Sequence, residues 1–252
     1  MNKTLLITGG TGKLGRVLLK HFLLKGWKVV TISLEQGRVD QLISEIDNPS
    51  AAIVGIAIDL LQTGATKELV DKLTARGIII THLLNNARSI EMLSVQKDGR
   101  THRDSFVGEF ELDVVVPYEL TMNLARSKRH KLKTVVNIGS IYGEVAPNPA
   151  LYKGTLDNSP IQYGVSKAGL HHLTRELAVR LAPNKIRVNC VAFGGVKGRV
   201  DEEFQMRYAQ LVPTRSMLYE SEIIGPVEFL LEEQSSSVNG HVLMADGGWS
   251  IW

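Results

Sequence analysis

The 252-residue sequence has little cysteine, little net charge and no long apolar run. A single cysteine cannot form a disulfide within the chain, so nothing in the sequence indicates an oxidising compartment. A formal charge of +3 is too small to indicate nucleic-acid binding. No apolar run could span a bilayer, and Met1 to Gly9 run into a strand-like pattern instead of forming a signal peptide. We therefore expect a cytoplasmic protein with no membrane or nucleic-acid partner.

The thiol and the histidines do not indicate a metal or nucleophile site. Cys190 is expected to be a small buried apolar residue. None of the 7 histidines has a second histidine, cysteine or acidic partner at metal-ligand spacing, so we expect no metal ion.

Apolar runs rich in β-branched residues alternate with longer amphipathic stretches along the whole chain. No repeat, low-complexity segment or linker interrupts them, which favours one domain over residues 1–252. Strands that are apolar on both faces and alternate with helices predict an α/β fold. The expected form is a Rossmann-like, doubly wound parallel sheet of about seven strands with helices on both faces. The predicted strands are 4–9, 28–33, 51–59, 78–87, 133–140, 185–193 and 240–248, and the predicted helices are 13–26, 38–47, 66–77, 105–129, 162–182 and 220–232.

A glycine-rich stretch, TGGTGKLG (Thr8 to Gly15), follows the first predicted strand and opens the first helix. Glycine lets a backbone turn sharply and approach a pyrophosphate, and a helix N-terminus supplies unpaired N–H groups. Ligands of such sheets bind beyond the carboxyl ends of the strands, so this position predicts dinucleotide binding. The expected contacts are Gly9, Thr11, Gly12, Lys13, Leu14 and Gly15.

The choice between NAD and NADP depends on the end of the second strand, because acidic residues there favour NAD and basic ones favour NADP. The expected position holds the neutral Ser33. Lys13 and Arg38 could both reach a 2′-phosphate, whereas Glu35 argues for NAD if it turns inward. The balance favours NADP, with NAD as the alternative, and both cations could equally be solvated surface charges.

The stretch QYGVSKAG places Tyr163 and Lys167 one helical turn apart, which alone fits any surface pair. Together with the glycine loop it resembles the short-chain dehydrogenase/reductase family. The resemblance covers essentially the whole chain. Further matching segments are NNAR (Asn85 to Arg88), VVNIGS ending in Ser140, IRVNCVAFGGV and ADGGW.

The resemblance implies hydride transfer between a nicotinamide cofactor and a carbonyl or carbinol carbon. Tyr163 would exchange a proton with the substrate oxygen, and Ser140 would hold that oxygen. The ammonium of Lys167 would favour the tyrosine phenolate and bind the nicotinamide ribose. Asp113 stands where the family has a catalytic asparagine, whose backbone holds a water that relays protons to the lysine.

The same resemblance implies further cofactor contacts. Asp59 and its neighbour Leu60 would lie near the adenine, although spacing alone equally allows Asp59 to cap a helix. Val196 would offer its backbone to the nicotinamide amide. The segment after the fourth strand would lie beside the adenosine ribose, through Asn85, Asn86 and Ala87.

Several positions depart from the family pattern. Arg88, Phe193 and Gly198 replace a glycine, a proline and a threonine, and Lys13 replaces a loop glycine. The remaining glycine spacing is like that of the branch containing sugar-nucleotide epimerases and dehydratases. The leading hypothesis is an NAD(P)-dependent oxidoreductase. The alternatives are an epimerase- or dehydratase-like enzyme with tightly held NAD, and a dinucleotide-binding protein without turnover.

An insertion rich in turn-forming residues, Ile141 to Pro160, precedes Tyr163 and is expected to cross the mouth of the active site. The pattern is similar to family members found in bacterial flagellin and surface-glycan modification. It implies a polar, sugar-like substrate, with Arg88 or Lys153 meeting an acidic sugar, although the insertion could be a lid over any small carbonyl compound.

Trp249 and Trp252 make the end of the sequence aromatic. Such a tail is buried either within its own domain or between subunits. The family resemblance favours the subunit interface of a homodimer or homotetramer.

Overall fold

Seven short apolar runs form one parallel sheet in the computed structural model, which describes residues 3–46, 52–198 and 200–252. The strands are β1 (Thr4–Thr8), β2 (Lys28–Ser33), β3 (Ile53–Ala57), β4 (His82–Asn85), β5 (Thr134–Ser140), β6 (Arg187–Phe193) and β7 (Val242–Ala245). Their order across the sheet is β3-β2-β1-β4-β5-β6-β7, and every neighbouring pair is parallel. The predicted doubly wound α/β fold is confirmed.

Helices connect the strands and cover both faces of the sheet. They are α1 (Lys13–Leu24), α2 (Gln36–Ser44), α3 (Ala65–Ala75), α4 (Arg103–Phe110), α5 (Val116–Arg126), α6 (Ile161–Leu181), α7 (Glu202–Leu211) and α8 (Ile224–Leu231). A π-helical turn, Glu111–Val115, joins α4 to α5 in one continuous helical run. Short 3₁₀ turns occupy 91–93, 141–143, 149–152, 182–184, 220–223, 233–235 and 249–251.

Alternate side chains of each central strand enter opposite cores, because successive residues of a strand point to opposite faces. Leu5 and Ile7 pack with α1 and α8, whereas Leu6 packs with α3, α5 and α6. All three are fully buried. This two-sided burial explains why the strands read as continuous apolar runs.

The order in which strands are added to the sheet reverses between β1 and β4. From β1 the chain continues to β2 and β3 on one side, and from β4 it continues to β5, β6 and β7 on the other. β1 and β4 are themselves paired, through Ile7 and Leu84. The loops that follow these two strands therefore diverge at the same edge. Ligands of doubly wound sheets bind at such a point. The glycine loop and the segment that begins at Asn85 both lie there.

Two differences from the sequence prediction have visible reasons, a shorter fourth strand and an additional helix. The fourth strand is shorter than 78–87 because the backbone of Ile78 bonds the end of α3, and Ile80 N donates to His130 Nδ1 at 3.1 Å. Helix α7 was not predicted, although Asp201 caps it by accepting from Phe204 N at 2.7 Å. The predicted third strand began at Ala51, which lies outside the described residues.

A third apolar cluster joins the insertion to the end of the chain. Leu151 of the insertion is fully buried, in a group with Tyr208 and Trp249. Trp249 stacks on Tyr208 with ring centroids 4.5 Å apart, so its burial arises within this chain. Trp252, in contrast, is 71% exposed. Among the helices of the described ranges, none has the length and apolar character that a membrane span needs.

Candidate active site

The glycine loop folds tightly between β1 and α1. Gly9 has a φ of +67°, and a Cβ there would lie 2.8 Å from Ala87 Cα. A Cβ on Gly15 would clash with the carbonyl of Gly9. Gly12 has no side chain to cap α1, so the first N–H groups of that helix remain available to an anion. This cradle fits the pyrophosphate of a dinucleotide.

The segment after β4 holds the glycine loop in place. Asn86 Nδ2 donates to Thr8 O at 3.0 Å and to Gly9 O at 3.1 Å, and Ala87 N donates to Thr8 Oγ1 at 3.0 Å. Asn85 is buried and donates to Asn137 Oδ1 at 2.8 Å. The structure thus places this segment beside the loop, whereas the cofactor contacts of Asn85, Asn86 and Ala87 stay predictions.

The polar residues at and after the end of β2, where the choice between NAD and NADP is predicted to lie, form a hydrogen bond and an ion pair. Thr11 Oγ1 and Ser33 Oγ lie 3.2 Å apart at the end of β2. Arg38 Nε lies 3.3 Å from the Glu35 carboxylate, and both side chains are exposed. Such a surface pair is worth about 0–1 kcal/mol, so a phosphate could displace it.

Lys13 crosses to the loop that follows β6. Its ammonium donates to the carbonyl of Lys197 and lies 3.3 Å from Glu220 Oε1. Gly198 adopts a φ of +106°, and a Cβ there would lie 2.8 Å from Lys13 Nζ. The two departures from the family pattern are therefore connected, because the glycine leaves room for the lysine.

The remaining predicted cofactor residues lie on surrounding loops. Asp59 accepts from Leu61 N at 3.0 Å, so it caps a turn, and its adenine contact stays a prediction. Leu60 is only 8% exposed and belongs to the core. Val196 pairs with Leu218 in an isolated β-bridge.

Tyr163 and Lys167 lie on one face of α6, as their spacing predicted, with Lys167 Nζ 5.7 Å from the Tyr163 ring centroid. Ser140 is buried at the end of β5, and its Oγ accepts from Tyr142 N at 3.2 Å. The turn 141–143 packs on α6 so closely that a Cβ on Gly143 would lie 2.8 Å from the Lys167 carbonyl. β5 and α6 thus carry the three predicted residues to one place.

The ammonium of Lys167 is buried against a carboxylate. Its Nζ lies 2.8 Å from Asp113 Oδ1 and donates to Ile138 O at 3.0 Å. Asp113 Oδ2 accepts from Ser166 Oγ at 2.7 Å. Burial disfavours the charge on Lys167, but Asp113 and its other neighbours hold its pKa above the usual value. The resemblance had given Asp113 a backbone role, whereas the structure gives its side chain a direct one.

Two side chains contact the Tyr163 ring, and a third contacts one of these two. The Arg88 guanidinium lies 4.8 Å from the ring centroid, and Tyr142 meets the ring edge-to-face at 6.4 Å. The hydroxyls of Tyr142 and Tyr152 are 3.0 Å apart, and burial raises the pKa of Tyr142. Sequence reasoning missed both tyrosines, although they lie in the insertion it singled out.

The other sequence candidates have ordinary surroundings. Lys153 is exposed and lies 2.9 Å from Glu203. Cys190 is fully buried in β6, and burial raises its pKa to about 12, which confirms an apolar role. Within the described ranges, no group of three or more histidine, cysteine or acidic residues is arranged to hold a metal ion.

Sequence and structure comparisons agree with this geometry. The chain matches the short chain dehydrogenase family over residues 3–208 and belongs to it, so it is an NAD(P)-dependent oxidoreductase by class.

Two relatives align over nearly their full length. The uncharacterized oxidoreductase YmfI of Bacillus subtilis is 29% identical, and post-translational flagellin modification protein A of Campylobacter coli is 23% identical; each alignment covers 99% of both chains. A solved short chain dehydrogenase from Leptospira borgpetersenii with bound NAD+ is 28% identical, with a TM-score of 0.85. The alignment covers 100% of this chain and 94% of the Leptospira chain.

Proposed function

We propose that residues 1–252 act as one domain that transfers a hydride between NAD or NADP and a hydroxyl or keto group of a small, polar, sugar-like substrate. The observation that carries the proposal is the convergence of Ser140, Tyr163 and Lys167 at the edge of the sheet that also holds the glycine cradle. The Leptospira relative with bound NAD+ supports the cofactor class.

A bound nicotinamide would supply or accept the hydride. Tyr163 gives a proton to the substrate oxygen during reduction and takes one during oxidation. Ser140 holds the same oxygen by a hydrogen bond. Arg88 and Lys167 place positive charge 4.8 and 5.7 Å from the Tyr163 ring centroid, where it offsets the negative charge that develops on this side chain during the reaction. An ammonium has three donors, so the two bonds that Lys167 makes leave one for a ribose hydroxyl.

The sugar-like substrate is supported by the groups near Tyr163. The hydroxyls of Tyr142 and Tyr152 and the exposed guanidinium of Arg88 are polar and can bond hydroxyl or carboxylate oxygens. The Arg88 guanidinium lies 4.8 Å from the Tyr163 ring centroid, which favours Arg88 over Lys153 as the contact for an acidic sugar. The Campylobacter coli relative is named for flagellin modification, which agrees with a glycan-related substrate.

A homo-oligomer is the form we propose in solution. α4, α5 and α6 expose apolar side chains, among them Phe110, Tyr118 and Val165, which are 39%, 45% and 44% exposed. α4 and α5 both pack against α6, and apolar side chains exposed on helices that pack together are of the kind that a protein contact covers. A monomeric mass by light scattering would contradict this part of the proposal.

The decisive experiment combines cofactor titration with one substitution. Native protein should bind NADH or NADPH, and Tyr163→Phe should bind equally but lose most turnover on a panel of sugar and non-sugar carbonyl compounds. Arg38→Ala should weaken NADPH more than NADH. No binding of either cofactor would refute the oxidoreductase, and equal turnover by Tyr163→Phe would remove that residue from its role. A preference for apolar ketones would refute the sugar-like substrate.

A further inference from the structure

A second buried acidic side chain, Glu109, lies in the helical run that carries Asp113. Glu109 precedes Asp113 by four residues in the same helical run, which places the two carboxyl groups on one side, about a turn apart. Glu109 is 1% exposed, and within the described part of the chain neither of its oxygens has a hydrogen-bond partner. An ionised carboxylate buried in this way is costly, so its environment favours the neutral acid.

The charges around Glu109 come from three elements. Asp113 lies on its own helical run, Lys167 faces it from α6, and Arg88 faces it from the loop after β4. Burial and Asp113 raise the pKa of Glu109 to about 7, against the opposite effect of the two cations. Asp113 already accepts hydrogen bonds from Lys167 and Ser166, whereas Glu109 has no such partner within the described residues.

The backbone at this point is also unusual. The π-helical turn Glu111–Val115 begins shortly after Glu109 in the chain, and it contains Asp113. Such turns are rare and concentrate at functional sites. Two independent features, an unpartnered buried acid and a π turn, therefore occur in the helical run that carries Asp113, the ion-pair partner of Lys167.

We propose that Glu109 takes up and releases a proton next to the Asp113–Lys167 pair and so forms the inner end of the path that returns Tyr163 to its working protonation state. This inference relies on the proposed role of Tyr163. During alcohol oxidation the Tyr163 phenolate gains the hydroxyl proton of the substrate. The Tyr163 phenol then loses one proton to the Lys167–Asp113 pair. This pair passes one proton on to Glu109, so its own charge does not change. The Glu109 carboxylate thereby becomes a carboxylic acid. Reduction moves the same proton in the opposite direction. Glu109 acts through its neighbours and does not touch the substrate.

The proton on Glu109 can be tested on the cofactor-free protein by infrared difference spectroscopy between acidic and alkaline pH. The native protein should show a protonated carboxyl band that titrates near neutral pH. Glu109→Gln should abolish that band, whereas the matched control Glu111→Gln, in the same helical run, should retain it. Glu109→Asp, which keeps an acid, should show the band with a shifted midpoint. A band that survives Glu109→Gln would overturn the proposal.

The path itself is tested by turnover over a range of pH. Glu109→Gln should lower kcat roughly tenfold near neutral pH, leave KM unchanged and remove the limb of the pH profile that titrates near neutrality. A structural role would change KM or stability and leave the profile shape intact. If Glu109→Gln has an unchanged pH profile and Tyr163→Phe still loses turnover, the proton path through Glu109 is refuted. Equal rates for native protein and Tyr163→Phe would refute the proposed function instead.

Discussion

At the scale of single residues, the charge beneath Tyr163 depends on one buried ion pair. Lys167 and Asp113 are 6% and 2% exposed at the side chain, so water screens neither charge effectively. Breaking a buried pair by removing one partner typically costs about 3–5 kcal/mol, because the other charge is left without compensation. Replacing both partners by neutral groups can be nearly free of cost.

A double-mutant cycle on this pair tests that reasoning. Asp113→Asn should lower the free energy of unfolding at pH 7 by roughly 3 kcal/mol, because the ammonium of Lys167 loses its counter-charge. Asp113→Asn combined with Lys167→Met should recover most of the loss. Urea unfolding of the native protein, Asp113→Asn, Lys167→Met and the double variant completes the cycle.

The control for this cycle is an exposed ion pair. Glu68 and Lys72 lie 2.6 Å apart on α3, and both are largely exposed. Glu68→Gln should therefore change the free energy of unfolding by less than about 1 kcal/mol. A double variant at Asp113 and Lys167 that is no more stable than Asp113→Asn would contradict the explanation.

At the scale of elements, the position of Ser140 depends on how the turn 141–143 packs on α6. Gly143 lies against the backbone of Lys167, and Gly164 lies against the Tyr142 carbonyl, where a Cβ would be 3.1 Å away. The side chain of His171 fills the space beside Gly143. The end of β5 and the start of α6 are therefore held together by close backbone contact.

Gly143→Ala should disrupt this contact. The new Cβ would lie 2.8 Å from the backbone of Lys167, which cannot move as a flexible side chain can, so the turn must shift. We expect a loss of roughly 1–3 kcal/mol in unfolding free energy and a larger loss of kcat than of cofactor affinity. Gly37→Ala in α2, where a Cβ meets nothing within 4 Å, should be neutral or slightly stabilising. Similar kcat values for both variants would contradict the positioning role of the turn.

The strands and helices also show how much of the fold could be predicted from the sequence alone. The second strand was predicted at 28–33 and lies at Lys28–Ser33, because burial on both faces leaves an unmistakable apolar run. The predicted helix 105–129 gave no indication of the π turn within it, because a local change in hydrogen bonding has no compositional signature. The spacing of Tyr163 and Lys167 is local and could be read.

The contacts that tune the site join residues far apart in the chain. Asp113 and Lys167 are separated by 54 positions, so their bond depends on how α6 packs on the helical run that carries Asp113. The stacking of Arg88 on Tyr163 likewise joins a loop to a helix. No sequence pattern encodes such pairings without the fold.

At the scale of the whole molecule, buried histidines make stability depend on pH. Burial lowers the pKa of His82 to about 3 and that of His171 to about 4, whereas an unfolded histidine titrates near pH ~6.5. Between these values the unfolded chain binds more protons than the folded one. The free energy of unfolding must therefore fall as pH falls from about 6.5 towards 4.

Two adjacent histidines on α6 provide a matched test of this dependence. His171 is 2% exposed, whereas the side chain of His172 is 72% exposed. The native free energy of unfolding should fall between pH 7 and pH 5, and His171→Gln should reduce that fall by roughly 1–2 kcal/mol, because the variant no longer buries this neutral imidazole. His172→Gln should leave the fall unchanged. Urea unfolding at the two pH values measures it. Glu109 contributes with the opposite sign, since its pKa is raised, but it is present in both variants and cancels in their difference. Equal falls for the native protein and His171→Gln would show that acid destabilises the fold by another route.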